Sequence, residues 1–147
     1  MTSNGSLTLP AGIYIVQGGG VTWQNGTVTG TGVTIYLTGP NPTGLKINGN
    51  MTVNLTAPNS GYYWGVLFFQ DRTLTSPPAA TINGGAGTNL NGTVYLPGTA
   101  VTYTGGSATS ITALIADTIA FVGTSFFGTD TNGTVTGLGR PYIALVE

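Results

Sequence analysis

The feature that most constrains the fold is a short alternating pattern that returns along the chain. Segments such as Val33-Thr34-Ile35-Tyr36-Leu37 and Met51-Thr52-Val53-Asn54-Leu55 carry an apolar side chain at every second residue, and Gly, Asn or Pro bounds nearly every such segment. A period of two is typical of β-strands, whose successive side chains point to opposite sides. Runs of helix-forming residues with a period of about 3.6 are missing. The chain is therefore predicted to be all-β.

Two separate stretches repeat with the same offset, which predicts how the strands are arranged. Val33, Ile35 and Leu37 match Met51, Val53 and Leu55 at an offset of 18 residues, and Val101 and Tyr103 match Ile119 and Phe121 at the same offset. Ile47-Asn48-Gly49 recurs 35 residues later as Ile82-Asn83-Gly84, close to two such offsets. A constant offset indicates a coil of constant circumference. We therefore predict one parallel β-solenoid domain over residues 1–147, with roughly seven turns of about 18 to 22 residues; an antiparallel sandwich is the alternative.

Two irregular spans, 57–65 and 73–80, are too long for solenoid corners and are predicted to protrude as loops from one side. The first contains three adjacent aromatic residues, Tyr62, Tyr63 and Trp64. Aromatic side chains on a loop can stack on sugar rings or anchor a protein partner. The alternative is that they only close over the end of the core. These three residues are the predicted binding site.

The charge composition excludes several classes of function. The chain has 3 Lys and Arg against 4 Asp and Glu, with no His and no Cys. Binding to nucleic acid or to anionic membranes is not expected, because both need a basic surface. Without imidazole or thiol groups, the usual catalytic triads and zinc or copper sites cannot form. The turn around Asp130 has a single carboxylate, so no metal site and no cofactor is predicted. No apolar run approaches the roughly 20 residues that span a bilayer, so direct membrane insertion is not expected.

Asp71, Arg72 and Asp117 form the best candidate polar site, because both carboxylates follow strongly apolar strands and could stack at one corner. Paired carboxylates on a solenoid can hydrolyse or cleave polysaccharides. A structural ion pair or corner cap is the favoured interpretation, since such active sites need more charge than this chain offers.

Threonine pairs separated by one residue, a chemistry known from ice-binding solenoids, occur at five places. Their spacing along the chain is irregular, which predicts that they do not form an ice-binding face and reflect β-propensity instead. They are Thr27/Thr29, Thr73/Thr75, Thr102/Thr104, Thr129/Thr131 and Thr134/Thr136.

The two ends of a solenoid expose unpaired backbone groups that can recruit another strand. Charged residues that would prevent this are scarce. Self-association through the ends is therefore predicted, with Leu7 and Leu9 at one edge and Ile143 and Leu145 at the other.

Four segments in order, together with the chain end Leu145-Val146-Glu147, resemble the C-terminal repeat region of bacterial Flp/Tad pilus-assembly proteins of the TadG-like group. The segments are 32–39, 65–72, 90–97 and 114–119. Members of that group often have a cysteine just before the last segment, where this chain reads Ser110-Ile111-Thr112-Ala113. The resemblance implies an extracellular or cell-envelope module of a bacterium, and it implies no catalytic residues.

The sequence thus predicts a non-enzymatic β-solenoid of the cell surface that serves as a structural or adhesive module associated with pilus or envelope machinery. Its expected partners are a glycan or a protein. A carbohydrate- or ice-binding solenoid is the alternative, and a polysaccharide hydrolase or lyase using Asp71 and Asp117 is a distant one.

Overall fold

The structure, a computed structural model, describes residues 1–74, 76–83, 87–128 and 144–145. Within these residues it contains ten strands and no helix, and the strands pair in parallel. The strands are β1 (Thr2–Ser3), β2 (Leu7–Leu9), β3 (Gly12–Trp23), β4 (Gly26–Thr31), β5 (Val33–Ile47), β6 (Met51–Thr56), β7 (Val66–Gln70), β8 (Ala80–Asn83), β9 (Gly87–Gly128) and β10 (Ala144–Leu145). The predicted all-β parallel solenoid is confirmed.

The strands stack in three columns, which we call the first, second and third faces. The first face contains the first halves of β3 and β5, then β7 and the part of β9 near Tyr95. The second contains β1, the second halves of β3 and β5, then β8 and the part of β9 near Thr102. The third contains β2, β4, β6 and the first five residues of β9. The strand β9 therefore bends round several corners of the coil.

The structure has about five turns, fewer than the seven predicted from the sequence. Turns differ in length: Val28 lies in register with Val53, 25 residues away, whereas Val53 lies in register with Thr88, 35 residues away. The longer turn leads from β6 through β7 and β8 to the start of β9, and we count it as the fourth. It is longer because the two loops, 57–65 and 71–79, both lie in it, one on each side of β7. Both loops therefore flank the first face.

The predicted 18-residue register between β5 and β6 is wrong. Val33, in β5, pairs with Gly12 on the first face, whereas Met51, in β6, pairs with Gly26 on the third. The two strands look alike in sequence because each must place apolar residues inward, wherever it lies in the coil. The 35-residue repeat is a single turn, because Ile47 pairs directly with Ile82; Gly84 lies outside the described residues.

The core consists of columns of inward side chains from successive turns. On the second face Trp23, Ile47, Ile82 and Tyr103 lie in register, and all four are fully buried. The ring of Trp23 lies 6.2 Å from that of Phe68, which links the second face to the first. Each fully buried aliphatic or aromatic side chain of this kind stabilises the fold by roughly 1.5–3 kcal/mol.

Close backbone approach at one corner requires glycine. A Cβ atom on Gly20 would lie 2.0 Å from the carbonyl oxygen of Gly44, the residue in register with it in the next turn. Gly44 itself has a φ of 84°, in the left-handed region that favours glycine. The narrow corner between the first and second faces therefore depends on both glycines.

Candidate functional site

Aromatic side chains form a continuous surface on the outward side of the first face. Tyr36, Phe69 and Tyr95 lie in register on three successive turns, and each is half-buried. The ring centroids of Tyr36 and Phe69 are 5.3 Å apart, and those of Phe69 and Tyr95 are 5.1 Å apart and stacked. Parallel strands lie about 4.8 Å apart, so an aromatic residue at the same position in each turn brings the rings into contact.

The loop 57–65 adds two more rings to this surface. Tyr63 packs against both Tyr36 and Phe69, with ring centroids 6.3 Å and 5.8 Å away, and Tyr62 meets Tyr63 edge to face at 5.1 Å. We call Tyr36, Tyr62, Tyr63, Phe69 and Tyr95 together the aromatic strip. Tyr62 is 96% exposed, so the strip is open to solvent at this end.

Backbone hydrogen bonds hold the loop in this position. Val66 N donates to Tyr63 O at 3.0 Å, Gly65 N donates to Pro58 O at 2.8 Å, and Trp64 N donates to Gly61 O at 3.2 Å. Trp64 remains 54% exposed beside the strip. Of the three residues predicted as a binding site, Tyr63 therefore packs on the first face, whereas Tyr62 and Trp64 present their rings to solvent.

Asp71 connects the strip to the loop that follows β7. Its Oδ2 accepts hydrogen bonds from Tyr36 Oη at 3.2 Å and from Thr38 Oγ1 at 2.8 Å. Its Oδ1 accepts from Thr73 N at 2.9 Å and from Thr73 Oγ1 at 2.8 Å. Two hydrogen bonds on each oxygen occupy the acceptor capacity of a carboxylate.

These hydrogen bonds lower the pKa of Asp71 to about 2, with the backbone N–H of Thr73 as the largest cause, followed by the hydroxyls of Thr73 and Thr38. The pKa of Tyr36 is raised, first by burial and then by its hydrogen bond to the Asp71 carboxylate. Asp71 is thus ionised at neutral pH and Tyr36 is neutral, so Asp71 is unsuited to donating a proton as a general acid.

Arg72 lies at the other end of the strip. Its Nε donates a hydrogen bond to the hydroxyl of Tyr95, and its guanidinium carbon lies 5.4 Å from the centroid of the Tyr95 ring, a cation–π arrangement. The contacts of Asp71 are with hydroxyls and a backbone N–H, not with Arg72 or Asp117, although the structure describes all three residues. Asp117 is exposed on β9. The structure therefore does not bring the predicted polar group together as an ion pair.

An uncharged cleft of about 610 Å³ lies beside Asp71, between the corner after Thr38 and the loop after β7. Thr38 and Thr73, which donate to Asp71, also line it. Asn41 and Ser76, on opposite sides, have φ values of 57° and 50°, a strained conformation for residues with a Cβ. The remaining lining residues are Gly39, Pro40, Pro42, Leu74 and Pro78.

The predicted assembly edges lie in different environments. Leu7 is half-buried in β2, the first strand of the third face, whereas Leu9 is only 5% exposed and belongs to the core. At the other end, Leu145 pairs with Ala116 of β9. Ile143 and Asp130 lie outside the described residues.

Among the described residues, no group of three or more acidic, His or Cys residues could hold a metal ion. In the same part of the chain, no helix is long and apolar enough to cross a membrane. Comparison of the chain with models of protein families, with curated proteins and with solved structures finds no match.

Sequence reasoning identified the exposed loop but missed Tyr36, Phe69 and Tyr95. Each of them stands next to other apolar residues of a short strand, and Phe69 ends the continuous apolar run Val66-Leu67-Phe68-Phe69, so none is unusual in its own segment. Their common position appears only when β5, β7 and β9 are aligned in register. Their offsets along the chain are 33 and 26 residues and match neither the 18-residue nor the 35-residue repeat, so no signal in the sequence pointed to this column.

Proposed function

We propose that this chain is a non-enzymatic adhesive module and that its aromatic strip binds a neutral glycan. The observation that carries the proposal is the aromatic strip itself, which extends across three turns and the loop 57–65 on a rigid parallel sheet. Flat apolar rings with polar edges are suited to sugar rings, which have one apolar face and hydroxyl groups around it.

The surroundings of the strip favour a neutral ligand over a charged one. Both oxygens of the Asp71 carboxylate are engaged by hydroxyls and by the backbone N–H of Thr73. Arg72 donates its Nε–H to the Tyr95 hydroxyl and lies over the Tyr95 ring. Among the described residues, none that lines the cleft beside Asp71 is charged. The Thr38 and Thr73 hydroxyls, whose protons are donated to Asp71, can still accept hydrogen bonds there, and the amide of Asn41 can donate or accept. Polar groups next to an aromatic surface are the usual way to orient a bound ligand.

A binding role is favoured over hydrolysis by the state of Asp71. Its acceptor positions are filled and its pKa is about 2, whereas a glycosidase needs one carboxylic acid that remains protonated near neutral pH. We expect the purified chain to leave pectin, alginate and peptidoglycan intact. Turnover that disappears in Asp71→Asn or Asp117→Asn would instead support the polysaccharide hydrolase or lyase.

The same proposal includes an extracellular or cell-envelope location in a bacterium, in association with pilus-assembly machinery. It rests on the resemblance to TadG-like repeat regions and on the low charge of the chain, 5% of residues. In that setting the stacked turns would hold the strip away from the cell as a stiff spacer. The resemblance is carried by the four segments and the chain end Leu145-Val146-Glu147 named above.

The experiment that tests the proposal is glycan-array binding, followed by calorimetry with the best neutral oligosaccharide. Tyr62→Ala and Trp64→Ala remove exposed rings without touching the core, and each should weaken binding about tenfold, or ~1.4 kcal/mol. Phe121→Ala is the matched control, because Phe121 is 45% exposed but lies on β9 beside Tyr103, outside the strip.

Phe121→Ala should bind like the unaltered chain. No binding to any neutral glycan would contradict the proposal, and so would equal affinity of all three variants. Binding of a protein through Tyr62 and Trp64, with no glycan bound, would replace the glycan by a protein partner.

A further inference from the structure

The outward side of the third face is a regular grid of short uncharged side chains. The strands β2, β4, β6 and the start of β9 each turn every second residue outward, and register places these residues above one another. The middle column is Thr8, Thr29, Asn54 and Asn89; the column on one side is Thr27, Thr52 and Gly87, and the column on the other is Thr31, Thr56 and Asn91. All ten residues are exposed or half-buried.

Side chains of the middle column contact each other in two pairs. Thr8 Oγ1 lies 3.4 Å from Thr29 Oγ1, and Asn89 Nδ2 donates to Asn54 Oδ1 at 3.4 Å. Threonine has few rotamers in a strand because its Cβ is branched. Binding at this surface therefore costs the protein little side-chain entropy at its threonines.

The spacing of the grid is set by the backbone. Alternate residues along a strand lie about 6.7 Å apart, and neighbouring turns lie about 4.8 Å apart. The ten residues include no charged and no aromatic side chain, so an ionic partner or a stacked ring gains nothing from them. The partner that fits is neutral and extended, and it carries hydrogen-bonding groups with a fixed period in two directions.

Ordered water meets this description. In ice, O–H···O distances are about 2.75 Å and each water has tetrahedral geometry, so two oxygens bonded to the same water lie about 4.5 Å apart. Along its hexagonal axis the same lattice repeats after about 7.3 Å. Both values lie within about a tenth of the grid periods of about 4.8 and 6.7 Å. We propose that the third face binds ice.

The irregular spacing of threonine pairs in the sequence predicted the opposite, and the register of the turns explains why. Along the third face Leu7 pairs with Val28, Val28 with Val53 and Val53 with Thr88, so successive rows are 21, 25 and 35 residues apart. Unequal turns can thus build an even surface. Two of the five pairs consist entirely of described residues, and of these Thr27/Thr29 lies in the grid.

The Thr102/Thr104 pair lies on the second face, where it stacks on Thr81 and Asn83. Thr75 and the two pairs after residue 128 lie outside the described residues.

The test measures ice binding of the full chain in two ways: the gap between melting and freezing temperatures in nanolitre osmometry, and enrichment of the protein in a growing ice front. Thr29→Lys and Asn54→Lys place a long charged side chain in the middle column. Thr102→Lys is the matched control, because it makes the same change as Thr29→Lys on the outward side of the second face. Circular dichroism on heating verifies the fold of each variant. If Thr29→Lys does not fold, ice binding of Asn54→Lys alone is used to test the middle column.

The unaltered chain and Thr102→Lys should both show a freezing gap and enter the ice, and folded Thr29→Lys or Asn54→Lys should lose both properties. Absence of a gap and of enrichment in the unaltered chain overturns the proposal. Equal loss in Thr102→Lys, or full retention in the middle-column variants, overturns it as well. Binding to crystalline cellulose that Asn54→Lys abolishes, without ice binding, would assign the face to a polysaccharide instead.

The ice-binding proposal is independent of the glycan proposal, because the grid and the aromatic strip share no residue. Tyr62→Ala should leave ice binding unchanged, and Asn54→Lys should leave glycan binding unchanged.

Discussion

Replacing Thr88 by valine should make the protein more stable. Thr88 points into the core from the third face, where it is 3% exposed and lies in register with Val53. Its Oγ1 is buried and has no hydrogen-bond partner in the part of the chain that the structure describes. Valine has the same shape and replaces only the hydroxyl by a methyl group.

The size of the effect follows from the cost of a buried polar group. An unpaired hydroxyl in an apolar environment costs about 1–3 kcal/mol relative to one in water, and the added methyl group gains a further fraction of this by burial. We expect Thr88→Val to raise the free energy of unfolding by about 1–2 kcal/mol. For a chain of this length, each kcal/mol raises Tm by about 2–4 °C.

Urea unfolding followed by circular dichroism measures this change. The midpoint should rise while the slope m remains constant, because the surface exposed on unfolding is unchanged. Val53→Thr makes the reverse substitution one turn away, at a position with no exposed surface, and should lower the free energy of unfolding by about 1–3 kcal/mol. Thr52→Val, on the exposed side of the same strand, should change it by no more than about 0.5 kcal/mol.

A midpoint for Thr88→Val equal to or below that of the unaltered chain would refute the reasoning, because it would mean that the hydroxyl has a partner or that the valine does not fit. Equal effects of Val53→Thr and Thr52→Val would refute the assignment of inward and outward sides.

Three further predictions concern the Asp71 carboxylate, the glycine corner at Gly20 and the end of the solenoid at Leu7. The folded pKa of Asp71, about 2, is below its ordinary value of 3.8, so its stabilising effect is complete above pH 3.8 and is lost as the pH falls toward 2; Tm measured against pH should lose this part of its acid dependence in Asp71→Asn. Gly20→Ala, whose Cβ would meet the carbonyl oxygen of Gly44, should lower the free energy of unfolding by about 3 kcal/mol in urea, and a change below 0.5 kcal/mol, about the scatter of neutral surface changes, would contradict the close corner. Sedimentation velocity should show concentration-dependent association that Leu7→Lys reduces, because Leu7 is the half-buried residue at the predicted edge; a single monomeric species at all concentrations would exclude association through that end.

The sequence alone was sufficient to predict the class of fold. Alternation with a period of two, glycine and asparagine at the segment ends and the lack of helical runs all express local preferences of the backbone, which each segment carries wherever it lies. The two long spans could be recognised as loops for the same reason. The exposed Tyr62 and Trp64 followed directly, because a loop that interrupts the alternation has no inward side to hide three adjacent rings.

Only the tertiary structure decided which turn lies on which. The inward residues of β5 and β6 obey the same apolar rule, so their similarity at an offset of 18 residues carried no information about register. Register depends on corner and loop lengths, and the fourth turn gains its length from two loops whose size is not constrained by the core. The aromatic strip and the threonine and asparagine grid both follow from register. Members that lie in register on successive turns are 21 to 35 residues apart in the sequence, so hydrogen bonding between whole turns, rather than any local pattern, makes them neighbours.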